Sequence, residues 1–95
     1  MVDGSIFDAE ENVRYVNSVV ERAKEKNITV EAELGRVDGG EDGLPPTDLE
    51  AVWTNPTDAA RFVQETGVHF LAPSFGNVHG LYPPGGAEKA WQMER

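Results

Sequence analysis

The segment Ile28-Thr29-Val30-Glu31-Ala32-Glu33-Leu34-Gly35 has the sequence pattern of a β-strand. Its apolar and polar residues alternate with the two-residue period of a β-strand, and the glycine ends the alternation. On its N-terminal side, between Asp8 and Lys26, apolar residues recur every three or four positions, which predicts an amphipathic helix. Acidic residues lie near the start of this helix and basic residues near its end, as the helix dipole favours.

The flanking segments repeat the same two kinds of element. A strand-like stub at the start of the chain ends in the turn-forming triplet Asp3-Gly4-Ser5. Asn55-Pro56 is a typical helix start and Gly67 a typical helix end. The apolar run from Val68 to Pro73 predicts a third strand, which His69 interrupts as a structural histidine. Strand, helix, strand, helix, strand is the order of a parallel sheet with right-handed crossovers.

The predicted loops are long. Residues Arg36 to Thr47 are rich in glycine and proline and predict an extended loop, which in a compact domain is usually functional. A glycine-rich turn through Gly80 and a Pro83-Pro84-Gly85-Gly86 loop follow the third strand, and Ala87 to Arg95 forms either a last helical turn or a frayed end. A closed barrel needs eight β/α units, typically about 250 residues. Three strands therefore form either a small open sheet or a section of something larger.

The composition excludes several classes of protein. With 8 Lys plus Arg against 17 Asp plus Glu, the formal net charge is -9, which repels nucleic acids and anionic membrane surfaces. The absence of cysteine excludes disulfides and thiolate metal sites. Neither a membrane-spanning run nor a secretory signal is present. We therefore expect a soluble cytoplasmic chain without nucleic-acid or membrane partners.

Metal-binding and proton-transferring side chains follow the predicted strands. Asp3 closes the first strand, Glu33 the second, and His79 follows the third, while Glu41 and Asp42 lie on the long loop. Parallel α/β folds bind ligands at the carboxyl ends of their strands, and imidazole with carboxylate suits zinc or a similar divalent cation. Each residue also has a structural interpretation: turn formers at Asp3 and on the loop, a solvent-facing strand residue at Glu33 and a surface histidine at His79. The pattern alone leaves both interpretations open.

Two better-known motifs can be excluded at the long loop. Asp38 to Gly43 superficially resembles a calcium-binding loop, but its third position is Gly40 and its twelfth is Leu49 instead of the bidentate glutamate. The glycines around Glu41 lack the Lys-Ser/Thr pair of a phosphate-binding P-loop.

Several motifs, taken in their order along the chain, resemble those of the class II fructose-bisphosphate aldolase family. These motifs are Asp3-Gly4-Ser5 with Glu11-Asn12, Val30-Glu31-Ala32-Glu33-Leu34-Gly35, Gly39-Gly40-Glu41-Asp42, Thr54-Asn55-Pro56 and Ser74-Phe75-Gly76-Asn77-Val78-His79-Gly80. The resemblance runs from the first residue to about Gly86. It implies that residues 1–95 form one partial domain, a parallel β/α segment of about three strands and two to three helices from a TIM (β/α)8 barrel.

The resemblance also implies a function. Members of this family are metal-dependent lyases that reversibly cleave a ketose bisphosphate, such as fructose 1,6-bisphosphate or tagatose bisphosphate, into dihydroxyacetone phosphate and glyceraldehyde 3-phosphate. The resemblance implies that His79 is a ligand of the catalytic zinc and that Asp3 and Glu33 hold metal at a second, nearby position. Gly80 resembles a backbone contact to the substrate phosphate, and Glu41 the loop glutamate that transfers a proton. Family members are often homo-oligomers.

The sequence departs from the family pattern in what it lacks. A His-Asp pair on an earlier strand, a further zinc-binding histidine and a glycine-rich phosphate site on later strands are not found, and Gly40 stands where some members carry a second acidic residue. We therefore expect the isolated chain to be poorly folded or aggregating, and catalytically silent, because its sheet edges would be unpaired. Two alternatives stay open: a non-catalytic binding or assembly protein with an aldolase-like segment, and a small metal-binding domain built from Asp3, Glu33 and His79.

Overall fold

The computed structural model describes residues 1–37 and 53–94, in which strands and helices alternate as predicted. The elements are β1 (Val2–Asp3), α1 (Ala9–Lys24), β2 (Glu31–Leu34), α2 (Pro56–Thr66), β3 (Phe70–Pro73) and α3 (Gly86–Ala90). The strands form one sheet in the order β1-β2-β3, and both neighbouring pairs are parallel. This confirms the predicted parallel β/α arrangement. Most of the predicted long loop lies outside the described residues.

Capping residues explain where the two long helices begin and end. At the start of α1, the Asp8 carboxylate accepts the backbone N–H of Glu11 at 2.9 Å. Asp8 is therefore the N-cap, and the helix begins at Ala9, one residue later than predicted. At its other end α1 stops at Lys24, and Asn27 adopts a left-handed conformation with φ 54°. The Asn55 side chain caps α2 by accepting the backbone N–H groups of Thr57 and Asp58, and Gly67 ends the helix with φ 72°.

The core lies between the two long helices and one face of the sheet. Ala32, at the centre of β2, is fully buried, and its register partners Val2 and Leu71 pack against the same cluster. The buried members of this cluster are Val16, Val20, Val30, Ala32, Phe62 and Val68. Side chains alternate along a strand, so residues on either side of Ala32 point to the other face. On that face Phe70 remains 62% exposed.

His69 extends the sheet with its side chain. Its Nδ1 accepts the backbone N–H of Val30 at 3.0 Å, and its own backbone N–H donates to the Val30 carbonyl at 2.9 Å. One residue thus satisfies both polar backbone groups of a buried neighbour that precedes β2. The prediction of a structural histidine is confirmed. Strand pairing itself begins only at Glu31 and Phe70, so β2 and β3 are shorter than the sequence pattern suggested.

A short helix follows the glycine-rich loops. α3 covers Gly86–Ala90, so the last-helical-turn alternative is confirmed for this part of residues 87–95. No helix among residues 1–37 and 53–94 is both long and apolar enough to cross a membrane.

Candidate functional site

Asp3 and Glu33 lie side by side at the carboxyl ends of β1 and β2. They are register partners in the parallel ladder, and Ala72 of β3 is the next partner along the row. Partners in register point to the same face of a sheet, and neighbouring strands are about 4.8 Å apart. Because Ala32 faces the helices, this row faces away from them. The two predicted carboxylates therefore lie on adjacent strands, on the face of the sheet away from the helices.

The two carboxylates have different surroundings. Asp3 is exposed, and its Oδ1 accepts the backbone N–H of Ser5 at 2.9 Å, so it does form the turn that the triplet predicts. Glu33 is buried, with 3% of its area exposed. The solvent-facing interpretation of Glu33 is therefore wrong, because tertiary neighbours cover a position that strand periodicity alone leaves half open.

A buried asparagine joins the ends of β1 and β2. Asn12 is 2% exposed, and its Nδ2 donates to the Glu33 carbonyl at 3.2 Å. Within residues 1–37 and 53–94, its Oδ1 has no hydrogen-bond partner, and it lies against the backbone of Gly4, where an added Cβ would be 2.2 Å from this oxygen. Only glycine therefore fits at position 4 while Asn12 keeps this conformation.

A buried threonine joins the ends of β2 and β3. The Thr54 hydroxyl donates to the Leu34 carbonyl at 2.5 Å and accepts the Ser74 N–H at 2.7 Å. The Thr54 N–H donates to the Ser74 carbonyl at 2.8 Å, and the Ser74 hydroxyl donates to the Arg36 carbonyl at 2.8 Å. Both Thr54 and Ser74 are buried. The segment that precedes α2 is thus tied to two strand ends at once.

The segment from Ser74 to Gly80 carries the predicted histidine. The Phe75 N–H donates to Oδ1 of Asn77 at 2.9 Å, which forms a tight turn. His79 is half-buried, and Gly80 is exposed with φ +103° and open space where a Cβ would lie. Gly80 is therefore exposed to solvent, as a backbone contact to a ligand would require.

The C-terminal segment covers the first part of this turn. Gly76 has φ +98°, and a Cβ there would be 1.9 Å from the Ala90 carbonyl oxygen. The Gln92 N–H donates to the Phe75 carbonyl at 2.6 Å, and the Phe75 and Trp91 rings meet edge to face with centroids 5.4 Å apart. α3 and the residues after it therefore hold the histidine-bearing segment by direct backbone contact.

The donor chemistry fits a divalent cation, but the predicted ligands do not form one cluster. Asp3 and Glu33 supply carboxylate oxygens and His79 an imidazole, the ligand types that zinc and similar cations take. Among residues 1–37 and 53–94, no group of three or more His, Asp or Glu is close enough to hold a metal ion. The described residues therefore do not form the small metal-binding domain of Asp3, Glu33 and His79. Glu41, the predicted proton-transfer residue, lies outside the described residues.

A cavity of about 380 Å³ lies on the helix side of the strand ends, between α1 and α2. Asn12, Leu34 and Thr54 are among its lining residues, but none of the predicted metal ligands is. The pair Asp3 and Glu33 faces the other side of the sheet. The cavity is therefore not the candidate site, although it lies directly behind it.

Comparisons with known proteins agree on one family. The family model for class II fructose-bisphosphate aldolases matches residues 1–95. An inferred fructose-bisphosphate aldolase of Coccidioides immitis (strain RS) is 49% identical over 89 residues, which are 93% of this chain and 29% of that protein. The crystal structure of an inferred fructose-1,6-bisphosphate aldolase from Coccidioides immitis superposes with a TM-score of 0.70 and 46% identity, over 88% of this chain and 29% of that one.

A bacterial structure gives the same likeness. The YdjI aldolase from Escherichia coli K12 superposes with a TM-score of 0.65 and 39% identity, over 81% of this chain and 25% of that one. The chain thus spans between a quarter and a third of the length of these relatives.

Proposed function

The chain belongs to the class II fructose-bisphosphate aldolase family, and on that basis we propose that it works as part of a metal-dependent aldehyde-lyase. The observation that carries the proposal is the family match over residues 1–95. The register pairing of Asp3 with Glu33 at the carboxyl ends of neighbouring strands supports it, because this is where parallel β/α folds bind ligands.

The proposed reaction is the reversible cleavage of a ketose bisphosphate. Fructose 1,6-bisphosphate is the first candidate substrate and tagatose bisphosphate the second, and the products are dihydroxyacetone phosphate and glyceraldehyde 3-phosphate. We further propose that the enzyme acts in carbohydrate metabolism in the cytoplasm, as a homo-oligomer.

Three side chains would hold metal. His79 is assigned to the catalytic zinc, and Asp3 and Glu33 to a second position nearby. Two carboxylates on neighbouring strands repel each other, and a cation between them relieves that repulsion. When bound, the metal supplies a Lewis acid for the substrate ketone.

The remaining roles concern the substrate. Gly80 is exposed, and we assign its backbone N–H to the substrate phosphate, which backbone N–H groups in glycine-rich turns commonly bind. Glu41 is assigned to proton transfer at the dihydroxyacetone phosphate carbon.

The proposal can be tested in a barrel chimera, in which residues 1–95 replace the matched segment of the Coccidioides immitis relative. The rate of fructose 1,6-bisphosphate cleavage is measured by coupling the triose products to a dehydrogenase and following the nicotinamide absorbance. We expect the chimera to cleave the substrate, a chelator to abolish the rate and added zinc to restore it. Tagatose bisphosphate, assayed in parallel, identifies the preferred substrate.

Glu31 provides a matched control for Glu33. Both glutamates lie in β2, two residues apart and on the same face, but Glu31 is exposed and precedes the carboxyl end of the strand. Glu33→Gln and His79→Ala should each lower kcat/KM at least about a hundredfold, in line with removal of a metal ligand, whereas Glu31→Gln should leave it unchanged. Equal rates for Glu33→Gln and Glu31→Gln would refute the assigned role of Glu33.

A further inference from the structure

Two buried side chains take over the hydrogen bonding of β2 at its carboxyl end. Successive carbonyls of a strand point toward opposite neighbours, so Glu33 and Leu34 need one partner on each side. Pairing with β1 stops at Asp3 and pairing with β3 stops at Pro73. Asn12 donates to the Glu33 carbonyl, and Thr54 donates to the Leu34 carbonyl. Side chains from the two crossover segments therefore replace the ladder at the point where it ends.

The Thr54 hydroxyl is inserted between two strands. It accepts from the Ser74 N–H and donates to the Leu34 carbonyl, so one oxygen bridges groups that would otherwise pair directly. On the other side, the Asn12 amide reaches Glu33 across the backbone of Gly4. Both side chains are more than nine-tenths buried. Such bonds are fixed in geometry because no water competes for them.

We infer that Asn12 and Thr54 are positioning residues, which hold the backbone of β2 from both sides so that the Glu33 carboxylate points at the metal position. The inference rests on the proposed metal role of Glu33. Both residues line the cavity on the helix side of the strand ends, which neither Asp3 nor Glu33 lines. The chain offers two matched controls, each a buried or half-buried residue of the same type that bonds elsewhere.

The controls are Asn17 and Thr66. Asn17 is half-buried on α1, and its side-chain amide faces the Glu65 and Thr66 carbonyls, to which its nitrogen donates at 3.1 and 3.3 Å once the amide oxygen and nitrogen are exchanged. The Thr66 hydroxyl is buried and donates to the Phe62 carbonyl within α2 at 2.7 Å. Substitution of either loosens helix packing without touching the end of β2.

The test measures zinc affinity in the barrel chimera by competition with a chromophoric chelator, with zinc alone as the probe. Asn12→Leu and Thr54→Val should each raise the dissociation constant about 10- to 100-fold, the usual effect of losing a group that orients a metal ligand. Thr54→Ser keeps the hydroxyl and should restore most of the affinity. Asn17→Leu and Thr66→Val should lower the melting temperature but leave zinc affinity unchanged. Equal effects of the Thr54 and Thr66 substitutions would overturn the inference.

Amide hydrogen exchange gives a second readout that needs no metal. The N–H groups of residues 33–35 should exchange faster in the Asn12 and Thr54 variants than their loss of global stability explains, and the control variants should not show this excess. If Glu33→Gln leaves zinc affinity and cleavage intact, the proposed function of Glu33 fails, and exchange alone decides whether β2 is held in this way. Absence of the excess in either variant would refute the positioning role even if Glu33 proves essential.

Discussion

Gly76 and Gly80 form a natural pair for testing how the histidine-bearing segment is held. Both have a backbone conformation that residues other than glycine rarely adopt, with φ +98° at Gly76 and +103° at Gly80. An alanine should therefore carry a similar conformational penalty at either position, on the order of 1–2 kcal/mol. They differ in their surroundings. No described residue places an atom within 4 Å of a Cβ at Gly80, whereas at Gly76 the Ala90 carbonyl oxygen is 1.9 Å away.

The extra cost at Gly76 follows from the displacement. Ordinary contact begins at 3.4 Å, so the Gly76 Cβ and the Ala90 oxygen must separate by about 1.5 Å. A shift of that size stretches the 2.6 Å hydrogen bond from Gln92 to Phe75 beyond bonding distance. It also opens the edge-to-face contact between Phe75 and Trp91. One hydrogen bond and one aromatic pair contribute about 2 kcal/mol together, or roughly a 30-fold larger opening constant.

Amide hydrogen exchange in the barrel chimera measures this opening constant. Peptides that cover residues 74–80 and 86–92 should exchange roughly 30-fold faster in Gly76→Ala than in Gly80→Ala, because only the first substitution separates the two segments. The rest of the sheet should exchange equally in both variants. Equal exchange rates of the two variants in these peptides would refute the contact between α3 and the histidine-bearing segment.

Three further predictions concern the sheet. The first two are tested by measuring the free energy of unfolding of the chimera in urea. Gly4→Ala should lower the free energy of unfolding by about 1–3 kcal/mol, because the new Cβ clashes with Asn12. The double variant with Asn12→Ala should lose about 1 kcal/mol less than the sum of the two single losses, and strictly additive losses would contradict this clash. His69→Ala leaves the buried Val30 N–H unpaired and should lower the free energy of unfolding by about 1–3 kcal/mol. His69→Asn keeps a hydrogen-bond acceptor and should lower it less, so equal losses would refute the hydrogen bond from Val30 to His69. The isolated 95-residue chain should aggregate in sedimentation velocity and show no cleavage above its His79→Ala variant; a folded monomer that cleaves substrate would overturn this.

Local signals predicted the elements well. The N-cap at Asn55 and the helix end at Gly67 depend on residues within one turn of the boundary, so they could be identified from neighbours in sequence. The strands were predicted too long, because ladder pairing at Glu31 and Phe70 depends on where the partner strand begins. The structural role of His69 was anticipated from its place inside an apolar run, but its bond to Val30 spans 39 positions and has no local signature.

The candidate site was predicted in part. Alignment of Asp3 with Glu33 follows from the parallel order, since the ends of parallel strands meet at one edge. The burial of Glu33 could not be predicted, because it depends on tertiary neighbours. Asn12 does carry a usable signal, because it precedes Val16 by four positions and is therefore a polar residue on the apolar face of a helix. Thr54 left no such signal, because its partners lie 20 residues away on either side.

Anomalous X-ray scattering can test the proposed role of His79, Asp3 and Glu33 as metal ligands. Crystals of the barrel chimera grown with zinc would be measured on both sides of the zinc absorption edge. We predict one anomalous peak about 2.0–2.1 Å from an imidazole nitrogen of His79, and a second within about 2.2 Å of carboxylate oxygens of Asp3 and Glu33. Zinc bound elsewhere in the barrel, with these three side chains uncoordinated, would contradict the account.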